Sequence, residues 1–178
     1  SPEHISCYML KTERGTRFAA QGVLPADDDT AAEQYLAVCE RLGAAGYRHY
    51  EISNFALPGC ESRHNLKYWH CSEYLGIGPS AYSFLNGERF HYPRDMHGFL
   101  HSPSTVSDGS GGDIGEKIML ALRLSEGYDF SAFPDVFPLL KRLSEASLGS
   151  LKGSVFSLTA RGMLVSNEII TEILEKIL

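Results

Sequence analysis

The spacing of apolar residues changes twice along the first 55 positions. Residues 4–11 form a short, mostly apolar run of the kind that a buried strand shows. Apolar side chains then recur every three or four positions, which predicts an amphipathic helix; they are Tyr35, Cys39, Leu42 and Ala45. Thr30 and Glu33 predict a capping box at the start of this helix, and Gly46 predicts its end.

Residues 48–55 alternate in polarity, which predicts a second strand. Its faces would carry Tyr50, Ile52 and Asn54 on one side and Glu51 and Ser53 on the other. A strand, a helix and a strand within about fifty residues predict a βαβ unit, whose strands run parallel with a right-handed crossover. An isolated hairpin beside a helix is the alternative. Because parallel α/β folds keep their chemistry at strand ends, the segment that follows this strand is a candidate for a site.

Residues 82–92 alternate again around an Asn86-Gly87 pair, which predicts a β-hairpin. Residues 102–113 are polar and rich in Gly and Ser. Such a segment buries too little apolar surface to order itself, so it is predicted to be a flexible linker.

Beyond this linker, the pattern predicts helices over 116–124 and 139–146 and a short strand over 155–158. Thr159 is expected to cap a long final helix with an apolar face. Helices with one short strand predict a small, mainly helical, winged-helix-like domain over 114–178. Residues 1–101 form the preceding α/β unit.

Composition then narrows the classes of function. A chain of 178 residues is long enough for one sizeable core without disulfides or metals to hold it. Its net charge is −6 and its basic residues are spread out, which argues against a nucleic-acid partner. No apolar run approaches the roughly 20 residues of a membrane span. The chain begins with Ser and not Met, which suggests a fragment.

The four cysteines, at positions 7, 39, 60 and 71, match neither a zinc pattern nor a dense disulfide framework. They are interpreted as free thiols, which favours a reducing cytoplasm. Three consecutive acids, Asp27 to Asp29, are better explained by the dipole and capping of the following helix than by a metal site.

The densest chemistry lies in the segment Ser62-Arg63-His64-Asn65-Leu66-Lys67-Tyr68-Trp69, and five of the seven histidines fall between 64 and 101. In a helical turn, His64 and Tyr68 would share one face, and Asn65 and Trp69 the adjacent one. Such a cluster offers a nitrogen ligand, aromatic faces for a flat ligand and an amide to orient a neighbour. A hydrogen-bonded surface histidine is the alternative, and His70, His91 and His97 are rivals as ligands.

Several other residues have a functional and a structural interpretation. Glu51 and Ser53 could line a pocket, whereas a buried Glu51 could also simply pair with Arg48 or Arg63. Lys11, at the end of the first strand, points either into a site or into solvent. Residues 76–81 fit a G-x-G-x-x-A outline, but Pro79 and the strand predicted after it exclude a dinucleotide loop. Close backbone approach or a tight turn explains these glycines.

Three segments together carry a family resemblance: YEISN at 50–54, SRHN-x-x-YW at 62–69 and YLG-x-G-x-x-A at 74–81. The chain resembles proteins of the oxygen-independent coproporphyrinogen III oxidase type, and most of all their haem chaperone branch. The resemblance implies a radical S-adenosylmethionine protein, built on a partial (β/α) TIM-like barrel, with a [4Fe–4S] cluster. Weaker likeness extends to the C-terminal domain, at Leu122-Arg123-Leu124 among other positions.

The resemblance also implies site residues. The HN-x-x-YW motif is associated with haem binding, which assigns haem contact to His64, Asn65, Tyr68 and Trp69, with the haem iron at His64. The S-adenosylmethionine pocket would include Gly78, Ala81, Tyr82 and Lys11, and Glu51 and Ser53 would line the pocket. No other metal site is expected in the chain.

The family's Cys-x-x-x-Cys-x-x-Cys motif is absent, because the closest cysteines, Cys60 and Cys71, are too far apart to form it. The chain is therefore expected to be the C-terminal part of a family member, with residues 1–101 completing the barrel, and to generate no radical alone. A haem chaperone function is preferred. A coproporphyrinogen III oxidase is the alternative, and a non-catalytic interaction domain is the second. Haem or porphyrin, a haem acceptor protein and a second copy of the chain are the expected partners.

Overall fold

Three small antiparallel sheets, each of three strands, organise the chain in the computed structural model, which describes all 178 residues. The first sheet has the order β1-β3-β2. Its strands and the helices beside it are β1 (His4–Ser6), α1 (Arg17–Ala20), α2 (Asp28–Ala44), β2 (Arg48–Glu51) and β3 (Asn54–Ala56).

The predicted strand over 48–55 is wrong, because the chain turns back at Ile52 and Ser53 and forms a hairpin of β2 and β3. Both β1 and β2 pair antiparallel with β3. They therefore run in the same direction, but β3 lies between them and the predicted parallel pair does not form. The turn is possible because its backbone groups find partners: the Ser53 N–H donates to Glu51 Oε1 at 3.2 Å, and Ile52 O accepts from the Tyr35 hydroxyl at 3.0 Å.

Helix α2 forms where its apolar spacing predicts, although its cap differs. The side chain of Asp27, and not the Thr30–Glu33 capping box, accepts from the Thr30 N–H at 2.9 Å. These bonds to Thr30 hold the pKa of Asp27 below its ordinary value. At the other end, Gly46 has φ +88°, which only glycine adopts without strain, and this confirms it as the stop.

The second sheet has the order β4-β5-β6. It and its neighbouring helices consist of α3 (Arg63–Trp69), β4 (Tyr82–Leu85), β5 (Glu88–His91), α4 (Met96–His101) and β6 (Val106–Ser110). The predicted hairpin is confirmed, with Asn86 and Gly87 both at positive φ in the turn.

The prediction that 102–113 lacks ordered structure is wrong for β6, which pairs antiparallel with β5. All of its side chains are exposed. Hydrogen bonding along the backbone orders this strand without burial of apolar side chains, which is why composition misses it. The division of the chain into domains at this segment stays a prediction.

The C-terminal region builds the third sheet, of order β7-β9-β8, and four helices. Its elements are α5 (Ile114–Ala121), β7 (Tyr128–Asp129), α6 (Phe137–Glu145), β8 (Gly149–Lys152), β9 (Val155–Leu158), α7 (Ala160–Leu164) and α8 (Ser166–Leu174), with a 3-10 turn at Pro134–Val136. Three strands thus replace the one predicted. The long final helix is two helices, since Val165 leaves helical geometry at φ −118°.

The main buried cluster lies in this C-terminal region and extends to Tyr35 of α2. By contrast, the buried strand predicted over 4–11 forms only at its start, where residues 4–6 pair with β3 as β1. Tyr8, Met9 and Leu10 follow it with 70%, 52% and 49% of their surface exposed. None of the helices is both long and apolar enough to traverse a bilayer.

Candidate functional site

Helix α3 carries all four motif residues, His64, Asn65, Tyr68 and Trp69. Ser62 caps the helix, accepting from the Asn65 N–H at 3.3 Å. The Tyr68 hydroxyl lies 2.8 Å from His64 Nε2, and the two rings meet edge to face with centroids 5.0 Å apart. The shared face of His64 and Tyr68 is therefore confirmed, and the hydrogen bond occupies one nitrogen of His64.

An open cavity of about 320 Å³ lies between α3, the β2–β3 turn and the end of α5. Its lining is polar and aromatic: Tyr8, Glu51, Ile52, Ser53, Asn54, Asn65, Tyr68, Trp69 and Arg123. The structure thus brings together five of the predicted residues, namely Glu51, Ser53, Asn65, Tyr68 and Trp69. His64 lies outside this lining, on the exposed side of α3.

The β2–β3 turn puts Glu51 and Ser53 at the cavity together with Ile52 and Asn54, which a straight strand would place on its opposite face. Glu51 is 2% exposed and does not pair with Arg48, which binds Glu61 Oε1 at 3.3 Å instead. The predicted pairing of Glu51 with Arg48 is therefore wrong. Of the two interpretations of this carboxylate, the pocket-lining one fits its position.

Contacts of the buried Tyr35 side chain fix this turn from behind. The Tyr35 hydroxyl, which donates to Ile52 O, is also 3.3 Å from His49 Nε2 and 3.6 Å from Met163 Sδ. Burial raises the pKa of Tyr35 and lowers that of His49, so the phenol keeps its proton and the imidazole is neutral near pH 7. The turn is therefore anchored by neutral groups to α2 and to the C-terminal region.

Four cavity residues, Tyr8, Ile52, Asn54 and Arg123, are not assigned to the site by the sequence, and Arg123 is the charged one among them. It follows α5 between Leu122 and Leu124, which are 0% and 1% exposed. Its Nη2 donates to Asn167 Oδ1 at 3.0 Å, which leaves other guanidinium donors for a ligand. The sequence feature that could have identified Arg123 is its position as a single arginine between two leucines at the end of an apolar helix.

A chain of contacts connects α3 to the second sheet. Tyr68 packs edge to face on Tyr74 with ring centroids 4.6 Å apart, and the Tyr74 hydroxyl accepts from Arg89 Nη1 at 3.4 Å. Arg89 in turn binds Glu116 Oε1 at 2.6 Å and lies over the Phe84 ring. The ring of Tyr68 is thus held against the sheet at the edge of the cavity.

The residues assigned to an S-adenosylmethionine pocket do not line this cavity. Lys11 is at the surface, 2.9 Å from Glu13 Oε1. Gly78 has φ +120° with open space beside it, which fits a tight turn. Close approach occurs at Gly76 instead, where an added Cβ would lie 2.2 Å from Tyr82 O, so its close neighbour is the chain's own backbone. The assignment of Gly78, Ala81, Tyr82 and Lys11 stays a prediction.

All four cysteines are free thiols, and burial raises the pKa of Cys39 and of Cys71. No group of three or more His, Cys, Asp or Glu side chains is arranged to hold a metal ion. The residues present therefore do not fit an iron–sulfur cluster, which needs several thiolates together.

Comparison with known proteins gives a consistent set of relatives, although no protein-family model matches the chain. Heme chaperone HemW of Synechocystis sp. is 33% identical over an alignment of 192 residues, which covers 98% of this chain and 47% of that protein. HemW of Mycobacterium tuberculosis is 32% identical over 188 residues, with 97% and 47% covered. The mitochondrial radical S-adenosyl methionine domain-containing protein 1 of Mus musculus is 52% identical over 84 residues, with 45% and 19% covered.

Among solved structures, coproporphyrinogen III oxidase (HemN) from Escherichia coli, a radical SAM enzyme, superimposes with a TM-score of 0.63. The match covers 97% of this chain and 48% of that one at 17% identity, so it concerns the fold alone. The chain spans about half the length of the HemW proteins it matches.

Proposed function

We propose that this chain is part of a haem chaperone and that it contacts haem at the cavity between α3, the β2–β3 turn and the end of α5, here called the α3 cavity. The chain belongs to the radical S-adenosylmethionine family of HemW and HemN and corresponds to the C-terminal portion of such a protein. We also infer that residues 1–101 complete a partial (β/α) barrel in the full-length protein; the fold likeness to HemN supports this. The [4Fe–4S] cluster and S-adenosylmethionine would be held mainly by other residues of that protein.

The observation that carries the proposal is that three of the four motif residues, Asn65, Tyr68 and Trp69, line one cavity, while the fourth, His64, is hydrogen-bonded to Tyr68. Trp69 and Tyr68 offer aromatic faces to the edge of a flat macrocycle, and Asn65 offers an amide. Arg123 is the only basic residue in the lining, and arginine is well suited to bind a carboxylate such as a haem propionate.

His64 is the proposed ligand of the iron at this site. Its Nε2 is engaged by the Tyr68 hydroxyl in the structure. Coordination through Nε2 would therefore turn the Tyr68 ring hydroxyl away, and haem binding is expected to change the environment of both residues. A chaperone would then pass the haem to an acceptor protein. The exposed position of His64 favours such a transfer.

The test is a titration of hemin into the 178-residue chain, followed by the Soret band and by fluorescence. Trp69 is the only tryptophan, so its quenching reports on the cavity directly. His64→Ala should weaken binding at least about tenfold, which is about 1.4 kcal/mol. His101→Ala is the control, because His101 is also exposed but lies on α4. Equal affinities and spectra for wild type and His64→Ala would exclude His64 as the ligand.

A further inference from the structure

The ring nitrogens of the histidines differ in their freedom to coordinate. Five of the seven make a ring hydrogen bond, and in four of these, His4, His49, His64 and His70, Nε2 takes part. His91 is the exception, because its bond uses Nδ1, which lies 3.0 and 2.8 Å from the two oxygens of Asp108. Its Nε2 has no partner.

A histidine held in this way is prepared to bind a metal centre. When Nδ1 carries the proton and donates it to a carboxylate, the tautomer is fixed and the Nε2 lone pair points outward. The carboxylate also makes the imidazole a stronger donor. The His91 and Asp108 side chains are 24% and 32% exposed, so the pair is partly sheltered and partly open to solvent.

Two exposed side chains, Tyr82 and Val106, flank His91 across the sheet. Tyr82, His91 and Val106 stand directly opposite one another on β4, β5 and β6 and form one row across the sheet. The Tyr82 ring stacks on the His91 ring with centroids 4.9 Å apart and planes 26° apart, which restricts rotation of the imidazole. Tyr82 and Val106 are 58% and 46% exposed, so the row ends in apolar surface on both sides.

A bare metal ion would lack ligands here, since no three metal-binding side chains lie together anywhere in the chain. A porphyrin iron needs only one ligand from the protein, because the macrocycle supplies four nitrogens. A planar apolar ligand also suits the exposed surfaces of Tyr82 and Val106. These two facts select haem over a free cation.

We propose that the Tyr82–His91–Val106 row is a second haem site, separate from the α3 cavity, at which His91 Nε2 coordinates the iron and Asp108 orients the imidazole. This inference rests on the proposed function for the identity of its ligand, and it uses none of the cavity residues. The row lies on the same sheet as Phe84 and Arg89, and contacts of Arg89 lead through Tyr74 to Tyr68 of α3.

The experiment compares hemin binding to wild type, His91→Gly, Asp108→Asn and His64→Ala by optical titration and by the spin state of the iron. His91→Gly should remove the binding phase and imidazole-ligand spectrum of this site, and added free imidazole should restore that spectrum. Asp108→Asn should keep the ligand but raise the Fe(III)/Fe(II) potential of this site, since the imidazole becomes a weaker donor. Circular dichroism checks that each variant is folded.

The outcomes separate the two proposals. If His91→Gly binds hemin with unchanged stoichiometry and spectrum, the second site is refuted while the α3 site stands. If instead His64→Ala is unaffected and His91→Gly loses all binding, the second site stands and the α3 assignment is refuted. A wild type that does not bind hemin refutes both. Zinc ion, titrated alone, should not bind in a His91-dependent way; if it does and hemin does not, the row is a site for free cations.

Discussion

Replacing Tyr35 by Phe would remove a single hydroxyl from behind the β2–β3 turn and leave the ring in place. That hydroxyl donates to Ile52 O at 3.0 Å and contacts His49 Nε2 at 3.3 Å. The Tyr35 side chain is buried, with 7% of its surface exposed, so water does not readily take over these bonds. The turn that presents Glu51 and Ser53 to the cavity would lose its tie to α2.

The size of the effect follows from what remains after the change. A buried hydrogen bond between neutral groups contributes about 1 kcal/mol net, and an acceptor left without a partner costs about 1–3 kcal/mol. Ile52 O still lies 3.1 Å from His49 Nε2, so it retains a donor when that nitrogen carries the proton. The expected loss in the free energy of unfolding is therefore about 1.5 kcal/mol, or roughly 3–6 °C in Tm for a chain of this length.

Urea unfolding followed by far-UV circular dichroism measures this loss, and Trp69 fluorescence reports whether the cavity changes with it. Tyr82→Phe is the matched control, because it removes a hydroxyl that makes no hydrogen bond from a residue that is 58% exposed. Its effect should stay within about 0.5 kcal/mol. A loss for Tyr35→Phe no larger than that of the control would refute the anchoring role of the hydroxyl.

Three further predictions concern other parts of the fold and the site. Burial lowers the pKa of His49 below its ordinary 6.5, so the unfolded chain takes up a proton before the folded chain does as pH falls through that value. The free energy of unfolding should therefore be lower at about pH 5.5 than at about pH 7.5, and urea titrations of His49→Gln should show a smaller decrease. Gly127→Ala should cost more than about 3 kcal/mol, because φ is +73° and the new Cβ would lie 2.1 Å from Phe156 O. Gly153→Ala, at φ +62° in open space, should cost only about 1–2 kcal/mol, and thermal melts of both variants measure the difference. Arg123→Gln should weaken hemin binding about tenfold through loss of a charge-assisted hydrogen bond; an unchanged dissociation constant would remove Arg123 from the proposed site.

The parts of the fold that the sequence predicts are those with local causes. Helix α2 follows from apolar spacing and from Gly46, and the β4–β5 hairpin follows from Asn86-Gly87, since both residues accept the positive φ that the turn requires. In each case the signal lies within the element itself. No contact with a distant part of the chain is needed to interpret it.

The errors arise where partners far along the chain decide. Ile52 and Ser53 are not typical turn residues, and their turn depends on the Tyr35 hydroxyl, 17 residues away, and on the Glu51 side chain. Strand β6 depends on the backbone of β5 and buries none of its own side chains. A single sequence carries no local trace of either arrangement.

The candidate site shows the same division. Asn65, Tyr68 and Trp69 share a cavity because Tyr68 and Trp69 follow Asn65 by three and four positions on one short helix, and a motif reveals that. Arg123 reaches the cavity from the end of α5, more than fifty residues after Trp69 in the sequence. Tertiary packing alone places it there, so the pattern predicts the aromatic side of the site and misses the cationic one.

The position of Tyr35 has a consequence for how the chain unfolds. It is the one member of the main buried cluster contributed by the first hundred residues, and the other members come from residues 118–173. Leu36, Cys39 and Ile52 pack against the same cluster. Unfolding of the C-terminal region would therefore remove the packing contacts that stabilise α2 and the β2–β3 turn at the same time. We expect a single cooperative transition, in which the ligand site is lost together with the C-terminal core and cannot outlast it.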